Sequence, residues 1–349
     1  MNILVIRFRQ LGDAILATPL LNTLHATFPE AHIDLVLNAR IAPLFEGHPA
    51  LHRIITFTDD ERHHMLTYLR KVWRTVHHTR YDVIIDMRST LNTQPFALFS
   101  LHTPYRVAVR KAYTRVASNH LLPKWGSKSM VDHNIGLATP LQVLRPLVAD
   151  RHITLPMPPA ALAAMQQYLD RMGIDRTKPI VLMGVTAKLS HKTWDEERMT
   201  ELVDRFIDRY PEAQIIFNYA PGQEEANARR IYANLRRPDC VFIDVQAKSP
   251  GEILALSQCI TLYFGNEGGA RHIVHAAGRP SFVVCAPRSI KSTWIPQDQV
   301  PADGISAADL ADTTDMTDRQ KYELITVDEV WRRLNDFIGH HHINLNPSV

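Results

Sequence analysis

Four loops of this chain hold the residue types that bind an anion or move a proton. The run Gly265-Asn266-Glu267-Gly268-Gly269-Ala270-Arg271-His272 follows an apolar stretch from Cys259 to Phe264 and opens a helical pattern. Paired glycines there, Gly268 and Gly269, leave free backbone N–H groups and a positive helix end where phosphate can bind. The same spacing also suits a tight strand-to-helix turn that needs glycine for its geometry alone. A second loop, Gly184 to Trp194, offers the hydroxyls of Thr186 and Ser190 and the charges of Lys188 and Lys192 to a diphosphate, without the P-loop pattern. Its alternative reading is a solvated polar loop anchored by Trp194. In the third, Tyr219 to Glu225, Glu224 and Glu225 fit the first turn of a helix, where acids are favoured. Either also suits the hydroxyls of a ribose.

The fourth loop, Arg7-Phe8-Arg9-Gln10-Leu11-Gly12-Asp13, lies between the first apolar run and its helix. Gly12 permits close approach of a ligand. Asp13 sits at or near a helix N-cap, from which its carboxylate either caps the helix or faces a ligand. The loop is not G-x-G-x-x-G, so dinucleotide binding has little support. From Met87 through Val131 there is no Asp or Glu, while Arg88, Arg106, Arg110, Lys111, Arg115, Lys124 and Lys128 occur. That imbalance suits an acceptor bearing carboxylates or phosphates, including an anionic glycolipid, or else a solvated basic face. Tyr105, Tyr113 and Trp125 nearby read as packing residues.

Elements must hold these loops in place. Apolar β-branched runs at Ile3–Ile6, Ile33–Leu37, Ile54–Phe57, Val83–Ile85 and Arg106–Val109 alternate with amphipathic segments around 13–27, 65–77 and 92–100. The rhythm repeats at Ile180–Met183, Gln214–Asn218, Val241–Ile243, Ile260–Phe264 and Ser281–Val284, with helical patterns at 195–209, 224–235 and 251–258. Alternation of this kind predicts two α/β domains with doubly wound parallel sheets. Ligands of such sheets bind at the carboxyl ends of the strands, so two facing sheets imply a cleft between lobes. Prolines 146, 156, 158 and 159 mark the connector, giving residues 1–155 as one domain, 156–178 as linker and connecting helix, 179–325 as the second domain, and 326–349 as a final helix with a polar histidine tail.

Composition narrows the function classes. With 349 residues and 45% hydrophobic content, the chain fills two cores. A formal charge of +3 argues against nucleic-acid binding by bulk charge. Three widely spaced cysteines in apolar runs predict reduced, buried thiols. Asn2–Ile6 is too short for a signal-peptide core, and no apolar stretch reaches membrane-spanning length, so a cytoplasmic protein is expected.

The opening Ile3-Leu4-Val5-Ile6 through Leu11-Gly12-Asp13-Ala14-Ile15-Leu16-Ala17-Thr18-Pro19-Leu20, the Lys192-Thr193-Trp194 element, and Gly265 to Pro280 together resemble family 9 glycosyltransferases, the lipopolysaccharide heptosyltransferase family. The resemblance runs in order over essentially the whole chain. It implies a GT-B fold: two Rossmann-like doubly wound domains facing across a cleft, with the acceptor on the N-terminal domain and a nucleoside-diphosphate sugar on the C-terminal one. It implies sugar transfer with inversion, with no cofactor and no metal, and no Asp-x-Asp motif occurs to hold one.

Carried onto this sequence, the resemblance makes Asp13 the general base and Lys192 the lysine on the donor diphosphate. It places Thr186 and Ala187 in the contacting loop and Glu224 near the nucleoside. It sets Glu267, Gly269 and His272, with Gly268 of the same turn, around the donor; with the acceptor on the N-terminal domain, Gly12 and, from the basic stretch, Arg88, Arg106 and Arg110 are the acceptor-binding candidates. Glu267 stands where the family usually has Asp in an Asp-Thr-Gly run, a departure that bears on which sugar is carried. The implied acceptor is an anionic glycolipid or oligosaccharide of the lipopolysaccharide-core type, reached through transient contact with the inner leaflet. A nucleotide-sugar epimerase or hydrolase, and a non-catalytic nucleotide or glycan binder, are the competing readings.

Overall fold

The computed structural model describes residues 1–8, 10–124, 129–296 and 298–346, and it divides into two compact units, Met1–Pro156 and Met157–Val349. Trp125 and Lys128 of the basic stretch lie outside the described residues.

In unit 1 the strands are β1 (Asn2–Ile6), β2 (His32–Asn38), β3 (Arg53–Phe57), β4 (Val83–Asp86), β5 (Tyr105–Val109) and β6 (His120–Leu122). They form one all-parallel sheet of order β3-β2-β1-β4-β5-β6. Helices α1 (Leu11–Ile15), α2 (Thr18–Thr27), α3 (Asp59–His63), α4 (Met65–His78), α5 (Gln94–Leu98) and α6 (Met130–Gly136) accompany it. Ile3, Leu4, Val5 and Ile6 are all fully buried, as a central strand covered on both faces requires. α4 turns Tyr68, Val72 and Val76, at i, i+4 and i+8, into a core that also holds Leu4, Ile6, Phe8 and Phe57.

Unit 2 begins with α7 (Pro159–Arg171), opened by a proline in its first turn. Then follow β7 (Ile180–Gly184), α8 (Glu196–Arg209), β8 (Gln214–Phe217), α9 (Gln223–Ala233), α10 (Pro250–Cys259), β9 (Leu262–Asn266), α11 (Gly269–Ala276), β10 (Ser281–Val284), α12 (Lys291–Trp294), β11 (Ala302–Ile305), α13 (Asp318–Leu324) and α14 (Val327–His340). The sheet order is β11-β10-β9-β7-β8, again all parallel. Asp195 caps α8 by accepting from the Arg198 N–H at 3.0 Å, and the helix buries Met199, Leu202, Val203, Phe206 and Ile207. α14 closes the same core with Val330, Leu334, Phe337 and Ile338.

Both sheets are doubly wound, as the alternation predicts. Strand order reverses between β1 and β4 in unit 1 and between β7 and β9 in unit 2, and these reversals open a crevice at the carboxyl ends of those strands. Three of the four chemistry-bearing loops leave one of these four strands.

Some expectations change. Val241–Ile243 is not a strand: it makes one bridge, Ile215 with Val241, and then turns away as the Val245 N–H reaches the Phe242 carbonyl. The far edge is β11 instead, and unit 1 gains β6 beyond Arg106–Val109. Of the cysteines, all free, only Cys285 is buried; Cys240 and Cys259 are partly exposed. The final helix runs on through Gly339 to His340, so the polar tail starts later than the glycine suggests. No helix among the described residues is long and apolar enough to cross a membrane.

Candidate functional site

In unit 2 the site starts where two glycines face each other across the paired strands β7 and β9. A Cβ on Gly184 would lie 2.2 Å from the Tyr263 hydroxyl. One on Gly265, whose φ is +147°, would lie 2.4 Å from the Gly184 carbonyl. Only glycine fits at either place. This juncture lets the Asn266 side chain bridge two loops: its Nδ2 donates to the Gly184 carbonyl at 3.1 Å, and its Oδ1 accepts from the Trp194 N–H at 2.7 Å. Trp194 is buried and its indole N–H donates to the Ile325 carbonyl at 3.2 Å, so the loop end is pinned from both sides. The packing role expected of Trp194 is what the structure shows.

Pinned in this way, Lys192 reaches Glu267, with Nζ 3.3 Å from Oε1. Glu267 is almost wholly buried; its Oε2 accepts from the Ala286 N–H at 3.3 Å. Gly268 is the N-cap of α11 and has no side chain to offer, so the N–H groups of the first turn receive no side-chain cap. Thr186 is buried with an Oγ1 that has no hydrogen-bond partner, and Ala187 follows it, with its carbonyl accepting from Thr193 Oγ1 at 3.3 Å. Lys188 and Ser190 are exposed. An uncapped helix start, a half-exposed lysine and an orphaned hydroxyl around one crevice form a cradle for an anion.

Glu224 and Glu225 separate. Glu225 pairs with Arg229 one turn on, at 3.1 Å, while the Glu224 carboxylate has no ion pair or hydrogen bond among the described residues. Glu224 is also within electrostatic reach of Tyr263, whose hydroxyl burial holds in the neutral form.

The buried face of α11 holds, beside the expected His272, two groups that sequence reasoning missed, Arg271 and His275. Arg271 is fully buried: its Nη2 donates to His272 Nδ1 at 2.8 Å and to the Trp294 carbonyl at 2.6 Å, while Nε and Nη1 find no acceptor. Each orphan costs about 1–3 kcal/mol. Burial pushes the guanidinium down to about 10, opposed chiefly by the Glu267 charge. His272 is held well below its ordinary range by burial, then by Arg271, so it is a neutral imidazole. His275 is pushed down to about 3 by burial, then by Arg271, and neither ring nitrogen has a partner. Helical spacing places 271, 272 and 275 toward the core; charged and polar residue types hid this for Arg271 and His275.

In unit 1, Asp13 is the third residue of α1, and Gln10 is the N-cap. The capping reading is therefore corrected: the Asp13 carboxylate makes no cap and instead accepts from Arg7 Nη2 at 3.1 Å. Arg7, itself buried, also donates from Nε to the Asp13 carbonyl at 2.9 Å and from Nη1 to the Met87 carbonyl at 3.3 Å. It thereby ties the loop after β1 to the loop after β4. Arg88 joins them by donating from Nη1 to the Phe8 carbonyl. Gly12 is buried in the first turn of α1.

Beneath Arg88 lies a polar knot that sequence reasoning did not single out. Buried Asp86 accepts from the Arg88 and Ser89 N–H groups at 3.0 and 2.8 Å and from Thr93 Oγ1 at 2.6 Å. Burial raises its carboxyl while these donors oppose the rise. Ser89, at φ 49°, passes its carbonyl to Lys111 Nζ at 2.6 Å.

Arg110 follows β5 and is exposed at the carboxyl edge. Arg106 is a correction. It is the second residue of β5, at the amino end of the sheet, and its guanidinium donates to the carbonyls of Ala117, Leu101 and Thr103. It closes a turn there and stands apart from Asp13, Arg88 and Arg110.

Comparisons with known proteins bear on the family and the fold. The family model "Glycosyltransferase family 9 (heptosyltransferase)" matches residues 69–300. That span takes in the loops after β4, β7 and β9 and starts beyond the Asp13 loop. The chain is 25% identical over 284 residues to lipopolysaccharide heptosyltransferase 3 of Escherichia coli, covering 77% of this chain and 78% of that one. Among solved structures it resembles a family 9 glycosyltransferase from Veillonella parvula DSM 2008, with TM-score 0.81, 17% identity and 97% of each chain covered. It also resembles the E. coli heptosyltransferase WaaC with ADP, with TM-score 0.69, 15% identity, and 99% and 100% covered. These structural likenesses establish the GT-B fold. With a family match over most of its length and both sheets wound as that fold requires, the chain belongs to glycosyltransferase family 9, the heptosyltransferase family, and is a glycosyltransferase.

Proposed function

We propose that this protein transfers a sugar, heptose or a close relative, from a nucleoside-diphosphate donor bound to unit 2 to a lipopolysaccharide-core or related surface-glycan acceptor bound to unit 1, with inversion and without a metal. The observation that carries the reading is the Lys192–Glu267 pair at the uncapped start of α11. The ADP in the WaaC structure makes an ADP sugar the first donor to test.

The acceptor hydroxyl attacks the anomeric carbon as Asp13 takes its proton, while the bond to the diphosphate breaks. Arg7 fixes the attacking side's base in place. Lys192 turns from Glu267 to the diphosphate, and with the N–H groups at Gly268 and Gly269 it stabilises the charge growing on the leaving group. Thr186 Oγ1 and Ala187 line the diphosphate, Glu224 meets the nucleoside, and Glu267 and His272 border the sugar. Arg88 and Arg110 attract the acceptor's anionic groups.

The test is thermal stabilisation by a panel of nucleoside diphosphates and their sugars, followed by transfer assays with the donor that binds. A ligand at a hundred times its Kd raises stability by about 2.7 kcal/mol. A shift that Lys192→Ala abolishes supports the donor site and names its base. Release of free or rearranged sugar with no glycosylated product selects a hydrolase or epimerase instead.

A further inference from the structure

We infer that the outer face of α4 docks the enzyme on an anionic lipid surface. The inference rests on the reading of a lipid-linked acceptor, and the first observation is one of charge. Between Glu61 and Asp82 there is no acid, while Arg62, Arg70, Lys71, Arg74 and Arg80 and four histidines occur. Lys71 is engaged by Glu61 at 2.6 Å, but Arg70 and Arg74, both exposed, have no acidic partner among the described residues.

The second observation is apolar exposure on the same helix. Leu66 is 85% exposed, Met65 64% and Trp73 51%. Leu66, Arg70, Trp73 and His77 stand at i, i+4, i+7 and i+11, opposite the buried Tyr68, Val72 and Val76, and so form a single solvent-facing stripe about 16 Å long. The His77 ring stacks on Trp73 at 4.3 Å, which holds the indole outward. Aliphatic tips, a tryptophan and unpaired arginines on one helix face are what an interfacial helix presents to headgroups and the first acyl carbons.

Position gives the face a purpose. The α4 end that bears Leu66 lies at the carboxyl edge of the sheet: Tyr68 meets Phe8 at 6.5 Å, Arg62 lies 5.1 Å over the Phe8 ring, and the Phe8 carbonyl receives Arg88. Docking by this face sets the Asp13 loop beside the surface from which the acceptor sugar projects. A second copy of this chain fits poorly, because an α4-to-α4 contact would put Arg70 and Arg74 against like charges. A soluble acidic glycan leaves Leu66 and Trp73 without a role.

The experiment is co-sedimentation of the full chain with vesicles of phosphatidylcholine alone and of phosphatidylcholine containing about one third phosphatidylglycerol. Transfer to a delipidated acceptor is measured in parallel. Each basic residue near an anionic surface contributes about fivefold in partition. Binding is expected on the anionic vesicles only and should weaken with salt. Arg70→Gln/Arg74→Gln should lower it about 25-fold, the product of two such factors, and Leu66→Glu/Trp73→Glu at least as much, with transfer to the delipidated acceptor unchanged. Val116→Glu, equally exposed and off the helix, is the control and should bind as the parent does. No sedimentation with anionic vesicles while soluble transfer persists overturns this inference and leaves the transferase reading standing. Equal loss in the Val116 control, or a parent dimer that Leu66→Glu/Trp73→Glu splits without any vesicle binding, also overturns it.

Discussion

The Lys192 ammonium lies 3.3 Å from Oε1 of Glu267, and this contact joins the loop after β7 to the turn after β9. Lys192 is about one third exposed and Glu267 nearly buried, so Glu267 holds the lysine in place, and in the function we propose the donor diphosphate competes for it. Lys192→Ala should therefore remove the donor-induced rise in Tm and lower kcat/KM about 10²- to 10³-fold. Its own Tm should stay near the parent's, because a pair this exposed on one side contributes little. Differential scanning fluorimetry with and without donor, and steady-state kinetics, read both.

Asp13→Asn separates chemistry from binding. The amide keeps the size and a hydrogen bond from Arg7 but cannot accept a proton, so kcat should fall about 10²- to 10⁴-fold. Donor binding, which we assign to unit 2, should be unchanged by calorimetry. Transfer at the parental rate would remove Asp13 as the base.

Arg271 separates function from stability. Its guanidinium is fully buried with two orphaned N–H groups. Arg271→Met keeps most of the volume and removes two orphaned N–H groups but also the donor to His272 and the Trp294 carbonyl, so the two effects offset and the variant should unfold close to the parent. Activity should drop about tenfold or more, because Glu267 loses the buried cation that compensates it when Lys192 moves to the diphosphate. Thermal unfolding without ligand and kcat with saturating donor make the comparison; a large loss of Tm with full activity would contradict it.

Acid should destabilise the fold through its buried imidazoles. Burial lowers His275 to about 3 and His48 to about 4, whereas in the unfolded chain both return to about 6.5. Below pH 6.5 the unfolded state takes up protons that the folded state refuses. Stability present above that pH is lost as pH falls toward the folded values, at about 1.4 kcal/mol per pH unit for each group. Urea midpoints between pH 7 and about 4.5 should fall less steeply in His275→Met than in the parent.

What the sequence shows and hides follows from how the sheets are built. Runs such as Ile3–Ile6 and Ile180–Met183 are apolar without alternation because helices cover both faces, and that makes the doubly wound class readable. Loops that leave the carboxyl ends of such strands are then the places to look for ligands, which is why Asp13, Lys192 and the Gly268-Gly269 turn stood out. β11 could not be read, since Asp303 and Gly304 disfavour a strand and its order comes from pairing with β10. Arg106 was misplaced because charge density along the chain ignores which end of a strand a residue occupies. Arg271 and His275 were passed over because a polar residue on a helix is ordinarily assigned to solvent, and only the packed structure shows them turned inward.

The contrast among the three thiols gives the molecule an internal timer. Cys240 and Cys259 are partly exposed and will react with a thiol reagent from the folded state, whereas Cys285 is 1% exposed and next to Ala286, whose N–H holds Glu267. Burial pushes the Cys285 thiol up, so in the closed fold it stays protonated as well as shielded, and it reacts only from an open form in which that burial is lost. Modification of Cys285 thus counts the excursions in which β10 opens, and a donor bound as we propose should lengthen the interval between them.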